Sequence, residues 1–127
     1  MNLDRSPSKR SLTVLAVDDD ALVLMNTTLM LEELGHTVIE AYNGQQALDI
    51  AQGGKTVDLV ITDHSMPKMT GAELAARLRL SNPGLPVVLA TGYTELPSGE
   101  GADLPRLPKP FTEAQLRDII ALTVTAR

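Results

Sequence analysis

Short apolar runs alternate with longer stretches of helical periodicity along this chain, and this alternation is the feature that most constrains its fold. The apolar runs lie near residues 12–17, 37–41, 58–63, 86–90 and 106–107. Each is followed by residues whose apolar positions recur at helical spacing, except after the fourth run. Such a βα repeat predicts a parallel sheet with helices on both faces. We therefore expect a doubly wound, flavodoxin-like α/β fold with five strands in the order 2-1-3-4-5.

The helices are predicted from caps, glycines and prolines as well as from periodicity. Their expected ranges are Ala21–Leu34, Gln45–Gln52, Gly71–Leu80 and Glu113–Thr125. Residues 93–104 contain Pro97, Gly99 and Gly101, which disfavour a stable helix of normal length. The fourth helix of a regular βα repeat is thus expected to be short or absent.

The first predicted helix has more apolar surface than one core face needs. The residues expected to face the sheet are Val23, Thr27, Met30, Leu31 and Leu34. Leu22, Met25 and Leu29 fall on a different side and form a second apolar stripe. Either a neighbouring segment covers this stripe or a partner docks on it.

Composition favours one compact domain and excludes several classes of function. The chain has 127 residues, of which 43% are hydrophobic; we assign residues 12–127 to one domain and residues 1–11 to a flexible leader or linker. No secretory signal or membrane span is recognisable, so we expect a cytoplasmic protein with no membrane association. A net charge of −5 and only three aromatic residues argue against direct binding of nucleic acid. The absence of cysteine rules out disulfides and thiol catalysis.

Acidic residues stand where two of the predicted strands end. Asp63 terminates the third apolar run, and Asp18 and Asp19 follow the first. Strands one and three are neighbours in the expected order and lie about 4.8 Å apart, so these carboxylates should share one pocket. Thr91 and Lys109, at the ends of the fourth and fifth strands, should lie beside them.

Three carboxylates and one ammonium leave an excess of negative charge in that pocket. Each like-charge pair at ~4 Å costs roughly 4 kcal/mol at an effective dielectric constant near 20. A divalent cation would relieve this repulsion, and an all-oxygen ligand set suits Mg²⁺. His36 and His64 are expected to be ordinary surface residues, not metal ligands or phosphoryl carriers.

Four motifs in order carry a family resemblance that covers nearly the whole chain. They are Val14–Asp20 (VLAVDDD), Asp58–Pro67 (DLVITDHSMP), Leu89–Gly92 (LATG) and Lys109–Phe111 (KPF). Together they resemble the response regulator receiver domain of two-component signalling. The resemblance implies a protein that is not an enzyme toward other substrates, and whose partner is a histidine kinase or a histidine phosphotransfer domain.

The resemblance also implies a role for each residue of the pocket. Asp63 would be the phosphoacceptor. Asp19 would bind Mg²⁺ directly, Asp18 would hold it through water, and the backbone carbonyl of Ser65 would be a further ligand. Thr91 would be the hydroxyl that moves to the phosphoryl group, and Lys109 its cationic partner. A cis peptide bond is expected between Lys109 and Pro110.

The chain departs from the receiver pattern at two places: at one residue, and in the Pro/Gly-rich stretch of residues 93–104 that replaces a regular fourth helix. Receivers usually carry an aromatic switch residue three positions before the lysine, where this chain has Arg106. The stretch LPRLPKPF, residues 104–111, is most similar to the corresponding part of receivers of hybrid histidine kinases. Such receivers often relay the phosphoryl group or regulate their own kinase. The usual dimerisation face is in doubt, and the sequence leaves the oligomeric state open.

Two other functions compete with this interpretation. A Mg²⁺-dependent phosphohydrolase with an aspartyl nucleophile would want a second acid two residues after Asp63, where this chain has Ser65. A flavodoxin-like cofactor binder would want a phosphate-binding loop after the first strand, where this chain has acids. Turnover of a phosphate ester would favour the first, and a bound flavin the second.

Overall fold

The computed structural model describes residues 11–92 and 103–125. The strands are β1 (Thr13–Val17), β2 (Thr37–Ala41), β3 (Leu59–Asp63), β4 (Val87–Thr91) and β5 (Arg106–Pro108). The helices of the described part are α1 (Ala21–Glu33), α2 (Gly44–Gln52), α3 (Gly71–Ser81) and α4 (Glu113–Thr125). The five strands form one parallel sheet in the order β2-β1-β3-β4-β5. The predicted fold class and strand order are confirmed.

The central strands are buried on both faces because helices cover both sides of the sheet. Every residue of β3 and β4 is buried, whereas the edge strands β2 and β5 bury one residue each. Alternate residues of the strands pack into two separate cores, one on each face of the sheet. One core lies with α2 and α3, around Leu74 and Leu78, and the other with α1 and α4, around Leu31 and Leu116. This pattern is the one expected of strands that read as continuous apolar runs.

Caps set the beginnings of the helices that lead away from the site. Asp20 is the N-cap of α1, and its side chain accepts hydrogen bonds from the backbone N–H groups of Leu22 and Val23. Thr70 and Glu73 form a reciprocal capping box at the start of α3. Each such cap contributes typically ~1 kcal/mol to helix stability. The cap predicted at Asp20 is confirmed.

The predicted inward face of α1 is partly wrong. The residues of α1 that are buried are Leu24, Thr27 and Leu31, and the prediction omitted Leu24. Val23 is only half-buried, because the helix turns its Leu24 side toward β1 and β3. The second stripe, whose covering the sequence left open, is solvent-exposed, with exposed fractions of 73% for Leu22, 51% for Met25 and 54% for Leu29.

Two predictions lie outside the described residues. The flexible leader covers residues 1–11, of which only Ser11 is described, and the short or absent fourth helix falls largely on residues 93–102. The chain is described again from Asp103, whose carboxylate pairs with Arg79 of α3 at 2.9 Å. In the described ranges no helix is long and apolar enough to cross a bilayer.

Candidate functional site

The carboxyl ends of β1 and β3 bring three aspartates together. The two strands pair in register up to Val17 and Thr62, so Asp18 and Asp63 are the next residues along each strand. Carboxylate oxygens of Asp18, Asp19 and Asp63 all lie within 4.8 Å of one another. Asp18 and Asp63 are buried, and Asp19 is exposed. The juxtaposition expected from strand order therefore exists, and it opens to solvent on the Asp19 side.

Lys109 closes the other side of this acidic cluster. Its Nζ donates a hydrogen bond to Asp63 Oδ1 at 2.8 Å and lies 3.7 Å from Asp18 Oδ2. The loop after β5 carries this lysine, and the backbone N–H of Lys109 donates to the carbonyl of Thr91 at 2.8 Å. The peptide bond between Lys109 and Pro110 is cis, as expected.

Thr91 and Ser65 flank Asp63 from two directions. Thr91 is the last residue of β4 and is buried; Asp63 pairs with Ala90, the residue just before it. Ser65 stands two residues after Asp63, exposed in the loop that leads to α3. That loop is short and tightly held, because the N–H of Gly71 donates to the His64 carbonyl at 2.9 Å and a Cβ at Gly71 would overlap the Asp63 carbonyl oxygen.

The electrostatics of the cluster disfavour its full ionisation in the absence of a counterion. Burial is the main cause that raises the pKa of Asp18 above its ordinary value, and the charges of Asp19 and Asp20 add to the effect. The Asp20 N–H, which donates to Asp18 Oδ1 at 2.8 Å, and the Lys109 ammonium oppose it. With three carboxylates against one ammonium, these residues could hold a metal ion, and their oxygens suit a hard cation.

One residue of the site region differs from its prediction. His64 is not a surface residue, since only 5% of it is exposed, and its Nδ1 has no hydrogen-bond partner among the described residues. The β3–β4 ladder continues one step past the strand, because the His64 N–H donates to the Ala90 carbonyl at 3.1 Å. This additional ladder bond keeps His64 within the sheet, whose two faces are both covered by helices, so its side chain is buried.

The other histidine and the unusual arginine lie away from the cluster. His36 is half-buried beside the start of β1, where its Nδ1 accepts a hydrogen bond from the Leu12 N–H at 3.1 Å. Arg106 is the exposed first residue of the edge strand β5. Within the described residues, neither side chain forms a hydrogen bond or ion pair with Asp18, Asp19 or Asp63.

A parallel five-stranded sheet with acids at the β1 and β3 tips and a lysine after β5 defines a receiver-type signalling domain. The sequence matches the model of the response regulator receiver domain over residues 14–121. The chain therefore belongs to the response regulator receiver domain family of two-component signalling.

Relatives of known name support this assignment. The chain is 39% identical over 113 residues to the sensor kinase CckA of Brucella abortus, a match that spans 84% of this chain and 12% of the kinase. It is 32% identical over 111 residues to the sporulation initiation phosphotransferase F of Bacillus subtilis, across 84% of this chain and 89% of that protein. The chain thus spans about an eighth of the sensor kinase and nearly all of the phosphotransferase.

Solved structures agree with the fold and with the family. A response regulator receiver protein from Sinorhizobium medicae superposes with a TM-score of 0.84 at 29% identity, covering 92% of this chain and 97% of that one. The chemotaxis protein CheY4 of Vibrio cholerae superposes with a TM-score of 0.81 at 28% identity, covering 90% of this chain and 99% of that one.

Proposed function

We propose that this receiver accepts a phosphoryl group on Asp63 from a phosphohistidine of a histidine kinase or histidine phosphotransfer domain. The observation that carries the proposal is the position of Asp63, buried between Asp18 and Lys109 at the rim of the sheet. Its carboxylate oxygen forms the new bond to phosphorus as the bond from phosphorus to the imidazole nitrogen breaks. The imidazole leaves with the electron pair of that bond and takes its proton from solvent. The product is an aspartyl phosphate.

The chain's own residues supply position and charge for this transfer. Lys109, 2.8 Å from Asp63, stabilises negative charge on the equatorial oxygens of the phosphoryl group as it is transferred. No general base is needed, since a carboxylate is itself a competent nucleophile toward the phosphoryl group. Asp63 and Asp19 would bind Mg²⁺ directly, Asp18 through water, and the Ser65 carbonyl would be a further ligand. When bound, that cation neutralises charge on the phosphoryl oxygens.

The phosphoryl group on Asp63 would then act as a ligand for the Thr91 hydroxyl. Thr91 is the last residue of β4, the strand next to β3, and directly follows Ala90, the register partner of Asp63. Phosphoryl oxygens would draw the hydroxyl inward and shift the tip of β4 between two populations. The output is either this shift or onward transfer of the phosphoryl group, as its relationship to a sensor kinase and a sporulation phosphotransferase suggests.

Modification by a small phosphodonor tests the proposal without a known kinase. We expect acetyl phosphate with Mg²⁺ to add one phosphoryl group, detected by intact mass spectrometry and by its lability to hydroxylamine. Asp63→Asn should abolish the modification. Asp58→Asn is a matched control at the opposite end of the same strand, where the Asn oxygen can still accept from the Thr13 N–H. An unmodified wild-type protein would refute the proposal, and multiple turnover of a phosphate ester would point instead to a phosphohydrolase.

The partner's docking face is proposed to be the exposed stripe of α1. Leu22, Met25 and Leu29 point to solvent, and Leu22 borders a groove of about 410 Å³ that reaches Lys109 and Phe111. A helix from the phosphodonor could bury its apolar face there and place its histidine next to Asp63.

Substitution on this stripe should separate docking from chemistry. Met25→Gln should slow phosphotransfer from a phosphorylated histidine protein at least tenfold and leave modification by acetyl phosphate unchanged. Leu122→Gln is the control, at an apolar position on α4 that is 68% exposed against 51% for Met25. Equal transfer rates to both variants and to wild type would remove this docking face.

A further inference from the structure

A second groove lies beside the loop between β3 and α3, on the side away from α1. It has a volume of about 700 Å³, within the range of ligand-binding clefts. Its walls come from the turn that begins α2, from the loop between β3 and α3, and from the outer face of α3. The lining residues are Tyr42, Asn43, Gly44, Gln45, Pro67, Lys68, Met69 and Arg77.

The charge of this groove is opposite to that of the whole protein. The chain has a net charge of −5, yet among the described residues the charged ones that line the groove are Lys68 and Arg77. In residues 11–92 and 103–125 neither cation has an ion pair with a carboxylate. The first turn of α2, which also opens onto the groove, contains no acidic residue, so the positive end of its dipole is not neutralised from within the helix. The groove therefore favours a negatively charged occupant.

Apolar surface also lines the groove. Tyr42 is 45% exposed, and Pro67 and Met69 line the groove together with Lys68 and Arg77. Lys68 has a φ of 71°, the left-handed conformation that residues with a side chain seldom adopt, and such residues cluster at binding and switch sites. A polyphosphate would find its contacts interrupted by this apolar surface. Alternating acidic and apolar side chains match it.

We propose that this groove binds an extended acidic segment of a partner protein, with carboxylates on Lys68 and Arg77 and an apolar side chain against Tyr42 and Met69. The site differs from the α1 stripe in position and in charge. Pro67 and Lys68 belong to the loop that starts directly after Asp63, so one loop would contact both the acidic cluster and the bound segment. Binding itself does not depend on phosphorylation.

Model peptides test the chemistry of the proposed occupant. Fluorescein-labelled peptides with four Glu-Leu repeats, four Gln-Leu repeats and four Lys-Leu repeats would be titrated against the full chain by anisotropy, and sites mapped by amide NMR shifts. We expect the Glu-Leu peptide to bind at least tenfold more tightly than the other two, to weaken with added NaCl, and to shift the amides of residues 42–45, 68 and 69.

Charge reversal then locates the site. Lys68→Glu and Arg77→Glu should each weaken binding of the Glu-Leu peptide at least fivefold, whereas Lys55→Glu, the same change at an exposed site outside the groove, should have less than a twofold effect. Asp63→Asn should bind as wild type does, which separates this result from the phosphoacceptor test. Equal binding of the Glu-Leu and Gln-Leu peptides, an equal effect of Lys55→Glu, or displacement by ATP at lower concentrations than by peptide would each overturn the proposal.

Discussion

Replacing Lys109 with methionine should destabilise the metal-free domain, because this ammonium stabilises two buried carboxylates. Its Nζ lies 2.8 Å from Asp63 and 3.7 Å from Asp18, whose side chains are 5% and 9% exposed. At these distances the Coulomb energies are about 6 and 4.5 kcal/mol at an effective dielectric constant of 20, most of which offsets the desolvation of the three groups. Methionine keeps an apolar stem of similar length and removes the charge together with the hydrogen bond to Asp63.

The expected loss can be bounded from the same geometry. Removing one partner of a buried ion pair costs about 3–5 kcal/mol. The Lys109 side chain is 26% exposed, so water can replace part of its contribution. We expect Lys109→Met to lower the free energy of unfolding by about 2–3 kcal/mol, which for a domain of this size lowers Tm by roughly 10 °C.

Denaturation in chelator and in Mg²⁺ provides the assay. The melting temperature would be measured by circular dichroism with EDTA and again with excess MgCl₂, using Lys55→Met as the control for the same substitution at an exposed site. A cation bound at 100 times its Kd adds about 2.7 kcal/mol of stability. The gain should be larger in Lys109→Met, because its cluster has one more uncompensated negative charge. An unchanged melting temperature in EDTA, or a loss that Mg²⁺ does not reduce, would refute the reasoning.

Three further changes test other parts of the structure. Asp18→Asn should raise metal-free stability at pH 7. Burial raises the pKa of Asp18, so its protonated form favours the folded state at low pH, and that contribution is lost as pH rises through the folded pKa. Burial lowers the pKa of His36, whose unprotonated Nδ1 accepts a hydrogen bond from the Leu12 N–H. The contribution of His36 to stability is therefore complete above about pH 6.5 and is lost as pH falls through its folded-state pKa. His36→Asn should flatten the profile of melting temperature against pH between pH 7 and 5. Leu24→Ala should cost about 3–5 kcal/mol in urea denaturation, and Leu22→Ala less than about 0.5 kcal/mol.

The features predicted correctly are those that depend on strand order and on strand ends. Asp63 ends an apolar run, and the parallel topology alone is enough to place it beside Asp18. The same topology places Lys109 beside both carboxylates. Orientation was harder. His64 was misassigned because its burial depends on one additional ladder hydrogen bond after the strand, and Leu24 because helical periodicity does not distinguish two apolar stripes on one helix. Three-dimensional packing decides both cases.

A backbone hydrogen bond beside the acidic cluster bears on how a receiver without an aromatic switch could transmit a signal. The carbonyl of Thr91 accepts from the N–H of Lys109, so the tip of β4 and the loop after β5 are joined by a backbone hydrogen bond of 2.8 Å. A phosphoryl group on Asp63 would attract the hydroxyl of the threonine and the ammonium of the lysine together, and both forces would act on this one unit. A ring at position 106 reports on the threonine by moving into the space that it leaves. With an exposed arginine there, movement of the joined loop is a route between the proposed phosphorylation site and α4, which begins four residues after Lys109.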